Sequence, residues 1–160
     1  MPAYVEIDED ADARDTQAAD GAALERVANA MLTSIDLETA ELSIVLTGDE
    51  QIRRLNAEHR QEDHATDVLA FPMDYGNPDT GQTPAPAEGP RLLGDIVISV
   101  PTATRQARTA GHPLTAELRF LLAHGLLHLI GHDHGTPAEK QKMDAATAQL
   151  LAAIEKKRGP

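Results

Sequence analysis

The sequence predicts an α+β fold, one mixed four-stranded sheet covered by about five helices. Three observations carry that expectation. ELSIVLTG (41–48) and LLGDIVISV (92–100) are short apolar segments rich in β-branched residues, as strands are. Longer stretches repeat apolar residues three and four apart, as helices do. Strands and helices mix without strict βαβ alternation, which points to α+β.

The elements follow in order. Tyr4 to Ile7 alternates weakly and suits an edge strand, and 16–34 sets Leu24, Val27, Ala28 and Met31 at helical spacing. The strand at 41–48 ends on Gly-Asp. DEQIRRLNAEHR (49–60) reads as a helix with acids first and arginines later, the order that the helix dipole favours. TDVLAFP (66–72) is a third strand, stopped by Pro72, and the proline- and glycine-rich 73–90 is a surface loop. The strand at 92–100 is apolar enough to be central. Helices are expected at about 101–110, 114–130 and 137–157, with Pro101 and Pro137 near the starts of the first and last. No internal repeat is visible.

Length and composition bound the function. The 160 residues fit a single domain, 1–160, with its own core. Without cysteine there is no disulfide, thiolate metal site or cysteine nucleophile, so a transition metal must rely on histidine and carboxylate. No apolar run approaches a membrane span, and MPAYVEIDEDADARD is acidic where a secretory signal is basic and then apolar. A cytoplasmic protein with no membrane partner is expected. The net charge of −12 argues against a polyanionic partner, but residues 1–20 carry half of it, in an acidic segment at about 8–20. From Pro101 to Gly135 three arginines face two acids, so a locally non-negative cleft is compatible with an acidic protein. Aromatic residues make up 2% of the chain, which gives no stacking platform of the kind many single-strand binders use. Phosphate contacts would then carry most of any RNA binding.

Chemistry concentrates in HGLLHLIGHDH (124–134), where four of the chain's seven histidines lie. His124 and His128, four apart on a helix, stack on one face and can grip one metal ion. The apolar residues around them, Leu118, Leu121, Leu122, Leu126 and Leu129 with Phe120 and Ile130, are expected to bury one side of the segment and hold the imidazoles in place. Gly131 suits the helix end, after which His132, Asp133 or His134 can return to the same point. Three neutral nitrogens with a fourth position open is the pattern of a catalytic zinc site. His134, beyond the turn, is preferred to His132 as the third ligand. Asp133 is either a partner that orients an imidazole or takes a proton, or a turn residue. The zinc-protease helix His-Glu-x-x-His has its general base where this chain has Gly125. A second unusual stretch, LNAEHRQEDHATDVLAFP (55–72), ends a helix on Arg60, which by itself reads as a solvated helix-end cation.

These two blocks, with LGDIVIS (93–99) between them, resemble in order and separation the YbeY family of bacterial endoribonucleases and rRNA maturation factors. The likeness runs from about residue 41 to 150. It implies one Zn2+ per chain on the penultimate helix and the following turn, held by His124, His128 and His134. Arg60 becomes the functional arginine, while His132 stands where a tyrosine is frequent. The implied activity is cleavage of single-stranded RNA, in maturation of rRNA ends (notably the small-subunit 3′ end) and in ribosome quality control. The small ribosomal subunit and its proteins are the implied partners. Two other readings stay beside it. One is a metal-dependent peptidase, weakened by Gly125; the other is a non-catalytic ribosome-assembly factor with a structural metal whose fourth position is closed, for instance by His132.

Overall fold

The computed structural model describes residues 3–8, 20–73, 92–132 and 135–157. Along the chain they form β1 (Ala3–Ile7), α1 (Gly21–Ser34), β2 (Glu41–Thr47), α2 (Asp49–Arg60), β3 (Val68–Pro72), β4 (Leu92–Ser99), α3 (Val100–Ala110), α4 (Leu114–Leu129) and α5 (Pro137–Lys157). The sheet order is β1-β2-β4-β3, with β1, β2 and β4 parallel and β3 antiparallel to β4. The mixed sheet and five helices match the expectation, β4 is internal, and the short β1 is an edge.

Period-two alternation divides the sheet into two unequal faces. Leu42, Ile44 and Leu46 of β2 and Ile96 and Ile98 of β4 are 0–1% exposed and face α1, α4 and α5. Those helices return Met31 and Leu32, then Leu118, Leu121, Leu122 and Leu126, then Met143, Leu150 and Ile154. Each such side chain contributes about 1.5–3 kcal/mol when it is fully buried. On the opposite face α2 alone supplies cover: Ile52 packs on Leu69 and Val97, with Leu55, Val45 and Phe71 half-buried around them.

Two glycines permit close approach. Between β2 and β4 the register steps from Glu41 opposite Leu92 to Leu42 opposite Gly94, a bulge that leaves Leu93 over. Gly94 there has φ 135°, and a Cβ on it would run into the Phe71 carbonyl. Gly125 is buried in α4, and a Cβ on it would stand 2.9 Å from Ile96 Cγ2, so its bare backbone sets how near α4 lies to the sheet. The position that sequence comparison marks as a missing base is thus a helix-to-sheet contact.

Boundaries move by a few residues, with local causes. α1 begins at Gly21 because the Asp20 carboxylate caps it, accepting from the Ala23 N–H at 3.2 Å; residues 16–19 lie outside the described residues. β3 begins at Val68, since Asp67 turns its Oδ1 onto the Val68 N–H at 2.8 Å. Val100 opens α3 rather than closing β4, because Ser99 caps that helix by accepting from the Thr102 N–H at 3.3 Å. The loop 73–90, apart from Met73, and the acidic segment, apart from Asp8 and Asp20, also lie outside the described residues.

A polar junction ties the start of α2 to the end of β4 and the start of α3. Asp49 Oδ1 accepts from Ser99 Oγ and Thr102 Oγ1, both at 2.6 Å, and its Oδ2 accepts from Arg105 Nη2 at 2.8 Å. Burial pushes the Asp49 carboxyl upward, but the three donors and the Arg105 charge outweigh it and hold the group below its ordinary value.

Candidate active site

α4 is apolar nearly all round, so most of it is buried. Between Phe120 and Leu129 only residues 120, 124 and 128 are not buried, and they stand one turn apart on a single line. That line turns His124 and His128 into a cleft and leaves Phe120 exposed one turn before them. The two imidazoles meet edge to face, with ring centroids 4.8 Å apart and Nε2 to Nε2 at 3.3 Å.

The end of α4 brings a third imidazole to the cleft. Gly131 has φ 105°, its N–H donates to the His128 carbonyl at 3.1 Å, and the His132 N–H donates to the Leu127 carbonyl at 2.9 Å. This pair of bonds is a Schellman closure, which needs a left-handed residue and stops the helix, as expected of Gly131. It fixes the His132 backbone beside His128 rather than a further turn along the line. His132 lines the cleft. His134 and Asp133 lie outside the described residues. Among the described residues no group of three histidines and carboxylates converges on one point.

The other wall comes from α2 and β3. The cleft, about 630 Å³, is bordered by Asn56, Arg60 and β3 on one side and by His124, Gly125 and His128 on the other. Asn56 is 1% exposed, and its Nδ2 donates to the His64 carbonyl at 2.9 Å, folding the segment after α2 back beneath the cleft. Gln61, with φ 59°, ends α2 and turns the chain there.

Arg60 then reaches the β3 edge. Ser99 N–H donates to the Asp67 carbonyl and Met73 N–H to the Leu93 carbonyl, so in this antiparallel ladder the backbone groups of Val68, Ala70 and Pro72 point away from β4. Pro72 fits, having no N–H to leave unpaired. The Val68 N–H goes to Asp67, and the Ala70 carbonyl accepts from Arg60 Nη2 at 3.2 Å. A guanidinium has five N–H donors. That neutral carbonyl is its sole partner among the described residues, so no carboxylate there compensates its charge, and Arg60 lines the cleft. Asp67 and Glu62 also border the cleft; Asp67 is engaged by the Val68 N–H and by Gln106 Nε2 at 3.3 Å.

The histidine pair fits a metal ion. Two nitrogens each bound to one tetrahedral zinc at about 2.0–2.1 Å are roughly 3.3 Å apart, and that is the spacing here. Two imidazole lone pairs at this distance repel unless a proton or a cation lies between them. The carbonyl end of α4, with His128 in its last turn, adds a negative helix terminus that favours a cation.

Sequence reasoning placed His124, His128, His132 and Arg60, and the structure brings all four to one cleft. It missed Asn56 and Asp67, whose visible signal was only that they flank the charged loop before β3. It counted Phe120 among the apolar residues that bury the helix, whereas the ring is 44% exposed, one turn before His124 on the unburied line.

Fold and cleft together define a small α+β protein in which paired helical histidines face an arginine across an edge strand. The sequence model of the family described as Endoribonuclease YbeY matches residues 6–155, and the chain belongs to that family. A protein of that name from Heliobacterium modesticaldum is 47% identical over 132 residues, which is 80% of this chain and 79% of that protein. One from Myxococcus xanthus is 48% identical over 124 residues, covering 78% of this chain but 40% of its own length. A third, from a Synechococcus strain, is 50% identical over 123 residues, 74% of this chain and 71% of its own. The solution structure of TM1509 from Thermotoga maritima aligns over 96% of this chain and 93% of its own, with TM-score 0.56 and 19% identity, which supports the fold.

Proposed function

We propose that this protein is a metal-dependent endoribonuclease that cuts single-stranded RNA. Its setting in this reading is maturation of rRNA, notably the small-subunit 3′ end, and ribosome quality control in the cytoplasm. The observation that carries the reading is the pairing of His124 and His128, 3.3 Å apart, with a guanidinium across the same cleft whose one partner there is a carbonyl. The names of the relatives, Endoribonuclease YbeY, supply the substrate class.

In this proposal His124, His128 and His134 hold one Zn2+, with Asp133 as a partner that orients an imidazole or receives a proton. A dication bound there supplies Lewis acidity and makes water acidic enough to ionise near neutrality. The chain's own residues do the rest. The buried side of α4 fixes both imidazoles, so little is lost in ordering them when a ligand arrives. Arg60, tethered at one nitrogen by the Ala70 carbonyl, offers its remaining donors to two phosphoryl oxygens and stabilises the charge that grows on them. Asn56 holds the segment on which that arginine depends.

Gly125 weighs against a peptidase of the His-Glu-x-x-His type, because a side chain there meets Ile96 instead of reaching the cleft. An assembly factor without catalysis predicts a filled fourth coordination position and no turnover. The deciding experiment measures metal content of the purified protein together with cleavage of a single-stranded small-subunit rRNA fragment. About one zinc per chain with cleavage that chelation abolishes supports the enzyme. Bound zinc with no cleavage above that of a preparation lacking His128 would overturn it.

A further inference from the structure

We propose that Phe120 is a nucleobase-stacking residue: it seats one unpaired base of the RNA strand whose phosphate lies between the histidine pair and Arg60. The proposal rests on the nuclease reading of that cleft and gives it a reason to prefer single strands. Phe120 is 44% exposed in a helix whose other large apolar side chains are packed away, with Leu118, Leu121 and Leu122 at 0–1%. It occupies the first place on the line continued by His124 and His128. Its ring lies nearly parallel to that of His124, 27° between planes and 6.1 Å between centroids.

An exposed phenyl ring gains nothing from water, and beyond its neighbour His124 on this line much of it stays open. What can cover it is set by what occupies the cleft next to it. Successive nucleotides rise about 3.4 Å along a stacked strand. The 6.1 Å from Phe120 to His124 therefore falls between one and two such steps. A strand with one phosphate at the histidines brings a neighbouring base to the phenyl face. Aromatic stacking accepts any base, because each has a π face, but requires the base to be out of a duplex stack. Phe120 thus selects for strandedness without selecting for sequence. The low aromatic content, which suggested no stacking platform, leaves room for one, and the fold puts it beside the metal-type histidines.

The test uses the zinc-loaded protein, the variants Phe120→Ala and Phe120→Tyr, and a 2′-O-methyl single strand, verified intact after each measurement, carrying 2-aminopurine at successive positions. In the wild type, 2-aminopurine fluorescence should be quenched at one position. In Phe120→Ala that quenching should vanish and affinity should fall about tenfold, within the range for loss of one stacked base. Phe120→Tyr should restore both, and zinc content should be equal in all three. With cleavable RNA, the excess of single-strand over duplex cleavage should shrink in Phe120→Ala, and an abasic site at the quenched position should reproduce the loss without adding to it.

Equal quenching and affinity in wild type and Phe120→Ala would overturn the stacking role and leave the nuclease reading intact. So would zinc loss in Phe120→Ala, which would make the ring a packing support for His124. A wild-type protein that neither binds nor cuts the single strand would overturn the nuclease reading, and the stacking role with it.

Discussion

Two arginines in this molecule, Arg105 midway along α3 and Arg60 at the end of α2, meet very different surroundings. At the Asp49 junction, Arg105 donates at 2.8 Å to a carboxylate that already takes two hydroxyl donors, so both charges are compensated within the protein. At the cleft, Arg60 meets a carbonyl at 3.2 Å, and across from it two imidazole nitrogens face each other at 3.3 Å. The first region is closed chemistry, in which each group satisfies the next. The second sets a histidine pair and an arginine on facing walls of one cleft, the arrangement on which the proposed cation and phosphate sites rest. The contrast lies in the partner each guanidinium meets: a carboxylate for Arg105, a neutral carbonyl for Arg60.

The largest effect that can break this contrast is expected from His128→Ala. Zinc content should fall from about one per chain to near none, and cleavage by at least about a thousandfold, with the fold retained in circular dichroism. Retained zinc in that variant would put the metal elsewhere. Arg60→Ala should cost about a hundredfold in cleavage at unchanged zinc content, the scale of removing one preorganised charge partner. Loss of metal alongside activity would sink the role assigned to Arg60.

Two further substitutions probe stability. Gly125→Ala gains about 1 kcal/mol of helix propensity but must push Ile96 aside in a close-packed core, which costs typically 1–3 kcal/mol. Ile96 is β-branched and stiff in its strand, so a net loss of about 1 kcal/mol is expected in urea unfolding. A variant as stable as wild type would mean that α4 shifts without cost. Asp49→Asn should be the mildest, a loss of about 0.5 kcal/mol at neutral pH, with cleavage unchanged, because the amide oxygen can still accept from the hydroxyls. Because the folded state lowers the Asp49 pKa, its contribution is present above the ordinary carboxylate pKa of about 3.9 and is lost as pH falls through the lowered value. Wild type should accordingly lose stability in acid more steeply than Asp49→Asn, and parallel acid profiles would refute the assignment.

Much of this architecture was legible because it rests on short-range physics. The apolar spacing of α4, the stop at Gly131 and the acid-to-base order of α2 each depend on residues a few positions apart, and each is found in place. The central position of β4 followed from its apolar run. What could not be read depends on register between distant segments. That Arg60 meets the Ala70 carbonyl requires knowing which β3 groups turn away from β4. Gly125 shows the same limit: beside His124 it looked like an absent base, whereas the contact that requires a glycine is Ile96, 29 residues earlier. Phe120 was discounted by averaging over the chain, and an average says nothing about where a single ring is placed.

The cleft draws its walls from two stretches of the chain, 56–70 and 124–132. β4, which must pair with β3 before the edge that Arg60 covers is formed, lies between them. In synthesis from the N-terminus at about 5–20 residues per second, Ala70 is made some 3–10 s before His124. During that interval the growing chain carries Arg60 but neither His124 nor His128. The two walls can therefore meet only after residues 124–132 have been made, so the cleft is a late product of synthesis.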